Sequence, residues 1–122
     1  MIQGAVNAAL EAVLPVTVQG TAGSAQGVEA VIDTGFSGFL TLPSALATAL
    51  GLEFDGVGWA VLADGTEASF DMYDATLLWD GRPRSVYVYA AETTPLVGMR
   101  LLEDHDLHVE VQDGGRVTVE AR

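Results

Sequence analysis

Residues 29–43, EAVIDTGFSGFLTLP, decide how the chain is read. The apolar run Ala30-Val31-Ile32 has the composition of a buried strand and delivers a carboxylate, Asp33, onto a break made by Thr34 and Gly35. Phe39-Leu40-Thr41-Leu42 then leaves as a second strand. An isolated carboxylate behind a buried strand is too costly to stay charged, so Asp33 must be hydrogen-bonded, paired or protonated. Thr34 offers a hydroxyl, and Gly35 offers a backbone that approaches closely and donates its N–H, so Asp-Thr-Gly holds an acid on a tight, rigid loop. What the stretch lacks is a partner acid.

Upstream, residues 2–8 and 12–19 read as short strands, with Pro15 tolerable only at an edge or a bulge, and Gly20 to Gly23 as a turn. Residues 27–32 form the strand entering the Asp33 loop. Downstream, Pro43 is placed for a helix start and Gly51 for its stop. From residue 57, two Asp-Gly pairs, Asp64-Gly65 and Asp80-Gly81, each flanked by apolar segments, predict two successive hairpins. Residues 99–104, MRLLED, read as a brief helical segment, and residues 108–111 and 116–121 as a final strand pair joined through Asp113-Gly114-Gly115. The expectation is a single all-β domain over residues 1–122 with one or two short helices and no repeat or linker.

At 122 residues, 49% of them hydrophobic, the chain has length for one core and none for a second lobe. Seventeen acidic residues against five basic give a formal charge of -12. That field repels phosphate backbones and anionic lipid heads and favours basic partners, although most such acids serve as surface solubilisers. Nucleic-acid and membrane partners are therefore not expected. With no cysteine there is no disulfide framework, thiolate metal site or cysteine nucleophile. The N-terminal MIQGAVNAALEAVLP lacks a basic leading segment and is interrupted by Asn7 and Glu11, which suits neither a signal peptide nor a spanning helix, so the expected location is cytoplasmic.

VIDTGFSGFLTLP, preceded by a hairpin and followed far downstream by Pro95-Leu96-Val97-Gly98, resembles the retropepsin-like aspartic proteases, especially small bacterial single-domain members. The resemblance covers nearly the whole chain. It implies a closed or partly closed acid-protease barrel in which each chain supplies half of an active site and two chains meet on a two-fold axis. Asp33 would then face its own copy. Two carboxylates about 3 Å apart cannot both ionise readily and titrate as a coupled pair, one acting as base on a bound water and the other as acid on the scissile carbonyl. The resemblance requires neither cofactor nor metal. It gives Thr34 a hydrogen bond across the interface and Gly35 close approach of loop and substrate. It makes residues 60–70 a flap, with Asp64-Gly65 at its tip and Gly65 and Thr66 offering N–H groups to a peptide, though an ordinary surface hairpin explains the same residues. Leu96 and Val97 would pack beneath the catalytic loop, with Gly98 giving it room to cross. Position 36 departs from the family: phenylalanine stands where relatives carry Ser, Thr or Ala. No hydroxyl can donate to the outer carboxylate oxygen there, which points away from a strongly acidic pH optimum. Phe36 either lines a subsite or packs in the core, and packing is favoured.

His105 and His108, beside Glu103 and Asp104, do not form a recognised metal-ligand spacing and read as solvated. No serine lies in a nucleophile elbow, and GTAGSAQG lacks the lysine and strand-to-helix setting of a phosphate loop. Trp59 and Trp79 read as core or interface residues, and Asp71 and Asp74 as the exposed face of a strand. The leading expectation is a homodimeric aspartic endopeptidase acting on peptide or protein. The alternative is a catalytically inactive dimerisation or peptide-binding module of the same fold. A third reading, an acidic β-barrel for small basic ligands, rests on charge alone.

Overall fold

Along Ala12–Gln19 every second side chain, Leu14, Val16 and Val18, is buried, the signature of a strand with one face on a core. The same alternation recurs through the computed structural model, which describes residues 1–122. The elements in chain order are β1 (Ile2–Val6), β2 (Ala12–Gln19), a 3-10 turn (Thr21–Gly23), β3 (Ala25–Ile32), β4 (Leu40–Leu42), α1 (Ser44–Ala49), β5 (Glu53–Val61), β6 (Glu67–Trp79), β7 (Arg82–Ala90), β8 (Leu96–Val97), α2 (Met99–Leu102), β9 (His105–Val109) and β10 (Arg116–Ala121). The protein is mainly β, as expected, with two short helices. Neither is long and apolar enough to cross a membrane.

All ten strands join one sheet in the order β5-β6-β7-β4-β8-β3-β2-β1-β10-β9. The long strand β6 also pairs with β2, Thr17 to Leu78 and Gln19 to Thr76, which closes β2, β6, β7, β4, β8 and β3 into a ring. Leu14, Val18, Leu40, Leu42, Leu77, Val88, Val97 and Leu101 fill its interior with essentially no exposure. Pro15 stands where β2 has left β1, at Val13, and has yet to meet β6, at Thr17, so its missing N–H interrupts no ladder on that side.

The two Asp-Gly hairpins differ. Asp80 (φ 53°) and Gly81 (φ 78°) form a two-residue turn with both residues left-handed, the geometry that matches strand twist. At the other, only Gly65 is left-handed, and Leu62 to Thr66 form a wider loop. The final strand pair is displaced from its expected place: β9 spans 105–109 rather than 108–111. Residues 110–115 form a turn in which Gly115, where a side chain would collide with the Glu110 carbonyl, comes close enough for the Glu110 N–H to bond the Arg116 carbonyl. Val111 is left on the surface.

Helix α1 stops as the sequence predicts. Gly51, at φ 67°, donates to the Thr48 carbonyl while Leu52 donates to that of Ala47, a Schellman closure. Its start is held from a distance: the Ser44 hydroxyl and N–H both donate to the Glu92 carboxylate. These bonds hold the Glu92 carboxyl below its ordinary value, the hydroxyl contributing most. A depressed folded-state value means that the stabilisation is complete above the ordinary glutamate range and is lost as pH falls through the lowered one. Glu92→Ala is therefore expected to lower the melting temperature at neutral pH, with the gap to wild type narrowing in melts recorded at successively more acidic pH below the ordinary glutamate range.

Candidate functional site

The Asp33 loop is built by threading. Strand β8 enters between the two strands that flank the loop, parallel to β3 (Val31 to Leu96, Ile32 to Val97) and antiparallel to β4 (Leu40 to Val97). The Asp33 N–H donates to the Val97 carbonyl at 2.9 Å, and the Gly98 N–H to the Phe39 carbonyl at 3.0 Å. Beyond Gly98 the chain stays on the loop: Met99 N–H donates to the Phe36 carbonyl at 2.8 Å and Arg100 N–H to that of Gly38 at 3.1 Å. The loop is thereby clamped at both ends and in the middle.

Within it, the Gly35 N–H donates to Asp33 Oδ1 at 2.9 Å and the Phe36 N–H to the Asp33 carbonyl at 3.1 Å. Asp33 is half-buried, and its second carboxylate oxygen has no hydrogen-bond partner within the chain. Thr34, beside it, is exposed and its hydroxyl is likewise unengaged. Phe36 is a core residue, 3% exposed, with its ring edge-on to Tyr89 at 5.9 Å. Gly98 faces the loop so closely that a Cβ there would overlap the Gly38 carbonyl oxygen and lie 2.6 Å from Phe36 Cδ2.

The β5–β6 hairpin folds over this loop. A Cβ on Gly35 would lie 2.7 Å from both Cα and Cβ of Ala63, so the hairpin tip rests directly on the Asp-Thr-Gly backbone. The Val61 N–H reaches Ser37 Oγ at 3.4 Å. Under the hairpin, Tyr89 packs on Phe36 and Phe70 and donates its hydroxyl to the Trp59 carbonyl at 3.3 Å. At the tip, Asp64 Oδ1 accepts both the hydroxyl and the N–H of Thr66, which hold its carboxyl below the ordinary range, the hydroxyl first. The Gly65 N–H donates to the Leu62 carbonyl at 2.9 Å. Both N–H groups that the resemblance offers to a peptide are thus engaged inside the turn.

Two residues escape a reading by pattern. Thr41, buried in β4 between two leucines, accepts the Leu96 N–H on its hydroxyl at 2.9 Å and fixes the start of β8. A lone hydroxyl in an apolar run is the signal for it. Tyr89 carries no comparable mark, because only the fold brings β7 beneath the hairpin.

The residues set aside fall as follows. Asp71 and Asp74 are exposed on β6. Trp79 is core, whereas Trp59 is 67% exposed. His105 is not simply solvated: its Nδ1 lies 2.7 Å from the Glu103 carbonyl and must carry the proton, leaving Nε2 to accept the Trp79 indole N–H at 3.0 Å. His108 is exposed, and no three His, Asp or Glu side chains are grouped to hold a metal. Two open pockets, of about 540 and 470 Å³, lie away from Asp33, one walled by Gln19, Phe39, Glu53 and Asp74, the other by Val6, Glu11, Glu29 and Val31. Asp33 lines neither of them.

Compared with protein-family models, curated proteins and solved structures, the chain matches none.

Proposed function

We propose that the chain is half of a homodimeric aspartic endopeptidase of the retropepsin type, in which two copies of Asp33 meet across a two-fold axis. The observation that carries this reading is the state of the Asp33 carboxylate: one oxygen is fixed by the Gly35 N–H, the other is free, and the loop that bears them is clamped by β8. The ring of strands, with Leu96-Val97 threaded between the strands flanking the loop, supports the retropepsin type.

In the dimer the paired carboxylates share one proton. The ionised member takes a proton from a water held between them as that water attacks the peptide carbonyl carbon. The protonated member gives its proton to the carbonyl oxygen. The first Asp33, now protonated, then gives its proton to the amide nitrogen while the other takes one back from a hydroxyl of the tetrahedral intermediate, which breaks its C–N bond to leave acid and amine. The exposed Thr34 hydroxyl, which has no partner within the chain, bonds the partner's loop in this scheme. Neither cofactor nor metal enters the scheme, and the substrate is a peptide or protein.

The chain contains no cysteine, so one substitution creates one unambiguous crosslinking site. Asp33→Cys and Thr34→Cys are expected to form covalent dimers under mild oxidation, because facing loops bring these positions within disulfide range. Thr118→Cys, on β10, is the control expected to stay monomeric on a denaturing gel. Loops that never crosslink, together with a monomer mass in sedimentation, would defeat the proposal.

One observation favours the second reading, an inactive dimerisation or peptide-binding module. Ala63 lies on Gly35, so the hairpin tip already occupies the space above the loop. Under that reading crosslinking succeeds and no peptide is cut.

A further inference from the structure

The outer face of the β5–β6 hairpin carries an apolar ridge with no covering element. Phe54, Val57, Trp59 and Val61 are 56%, 59%, 67% and 42% exposed. Strand alternation explains the placement: Gly58 and Ala60 point inward, Gly58 against Tyr89 and Met72, which sends Val57, Trp59 and Val61 outward. Directly opposite on β6 stand Asp71, Ser69 and Glu67, partners of Val57, Trp59 and Val61 in turn. Cross-strand partners share a face, so the ridge is flanked by a row of carboxylates.

Nothing neutralises that row. No lysine, arginine or histidine occurs among residues 1–81, and the four ion pairs of the fold involve Asp80, Glu103, Glu110 and Asp106, none of them on the hairpin. A soluble chain rarely leaves such an apolar strip uncovered unless something docks on it.

We propose that this face binds a polypeptide segment in which apolar residues alternate with lysine or arginine. The apolar side chains cover Val57, Trp59 and Val61, and the basic ones reach Glu67 and Asp71. A second copy of this chain fits badly, because apposing two such faces sets one acidic row against another. Anionic lipid is repelled for the same reason. The surface lies on the opposite side of the hairpin from the Asp33 loop, and the proposal holds whether or not the loop is catalytic.

Trp59 supplies the probe, since Trp79 is buried and hydrogen-bonded to His105. A synthetic peptide of four Lys-Leu repeats is titrated into Asp33→Asn protein, which keeps hydrolysis out of the measurement, and into wild type. The expected result is a saturable blue shift of indole emission, lost in high salt and absent with Ser-Leu or Glu-Leu repeats. By anisotropy of a labelled Lys-Leu peptide, Trp59→Ala and the double variant Glu67→Gln/Asp71→Asn each weaken binding at least about tenfold. The control Asp113→Asn/Glu120→Gln, which removes two acids elsewhere, leaves it unchanged. Equal binding of the Ser-Leu peptide, equal loss in the control, or normal binding by Trp59→Ala overturns the proposal. So does a Trp59→Ala variant that turns a dimer into a monomer while wild type ignores the peptide, which would give the face to a second copy.

Discussion

Asp33→Asn is expected to remove peptide hydrolysis, lowering kcat by at least about 10³-fold, while the melting temperature and the dimer mass stay near wild type. The substitution is nearly isosteric, and the amide oxygen of asparagine still accepts the Gly35 N–H that positions Asp33 Oδ1, so the loop keeps its shape. An amide can neither take a proton from water nor give one to a carbonyl oxygen, and in a dimer both copies are changed at once. Mixing adds a sharper test. When equal amounts of wild-type and Asp33→Asn chains re-equilibrate, activity per wild-type chain falls to about half, because half of its partners lack the second carboxyl. Cleavage of a broad peptide mixture, followed by mass spectrometry from acid to neutral pH, is the measurement. If the variant cuts as well as wild type, Asp33 is not catalytic. If wild type cuts nothing and the variant is the more stable of the two, the binding-module reading stands instead.

Gly98→Ala is expected to destabilise the fold by about 3 kcal/mol, a large effect for one methyl group. The reason is steric and not conformational. Gly98 has extended backbone angles, φ -100° and ψ 174°, that any residue adopts. The added Cβ, however, meets the Gly38 carbonyl and the Phe36 ring, and neither can yield. Gly38 is tied by its bond from Arg100, and Phe36 is locked in the core against Tyr89. Gly65→Ala is the contrast: no atom lies within 4 Å of its Cβ position, and only the left-handed φ of 85° opposes it, at about 1 kcal/mol. Thermal melts of the two variants separate the effects, and a Gly98→Ala chain as stable as Gly65→Ala would show that the loop shifts freely over β8.

Most of the strands were legible because one face of each is buried, so that β2 announces itself through Leu14, Val16 and Val18. The Asp80-Gly81 turn was legible because its two residues fix both left-handed dihedrals themselves. What could not be read is what depends on pairing. The start of β9 moved by three residues because register with β10, and not local composition, chooses its span. The ring closure through β2 and β6 has no local mark at all. At the candidate site the acid and its supporting glycine were plain in the sequence, since a carboxylate after an apolar run demands an explanation. Thr41, Tyr89 and the seat of Ala63 on Gly35 were not, because each arises where segments far apart in the chain come together. His105 looked like a solvated histidine until α2 and β9 carried it to the Trp79 indole.

The threading of Leu96-Val97 between β3 and β4 also sets an order in time. Asp33 leaves the ribosome long before its scaffold exists: at about 5–20 residues per second, the roughly 60 residues to Val97 take about 3–12 s to synthesise. Until then the Asp33 N–H has no Val97 carbonyl to bond, and β3 and β4 have no strand to join them. Because closing a longer loop costs more chain entropy, pairings this distant in sequence are expected to follow the hairpins of β5, β6 and β7, which close on their own turns. A growing chain therefore carries its acid on an unformed loop, and the site assembles only once synthesis has passed Val97.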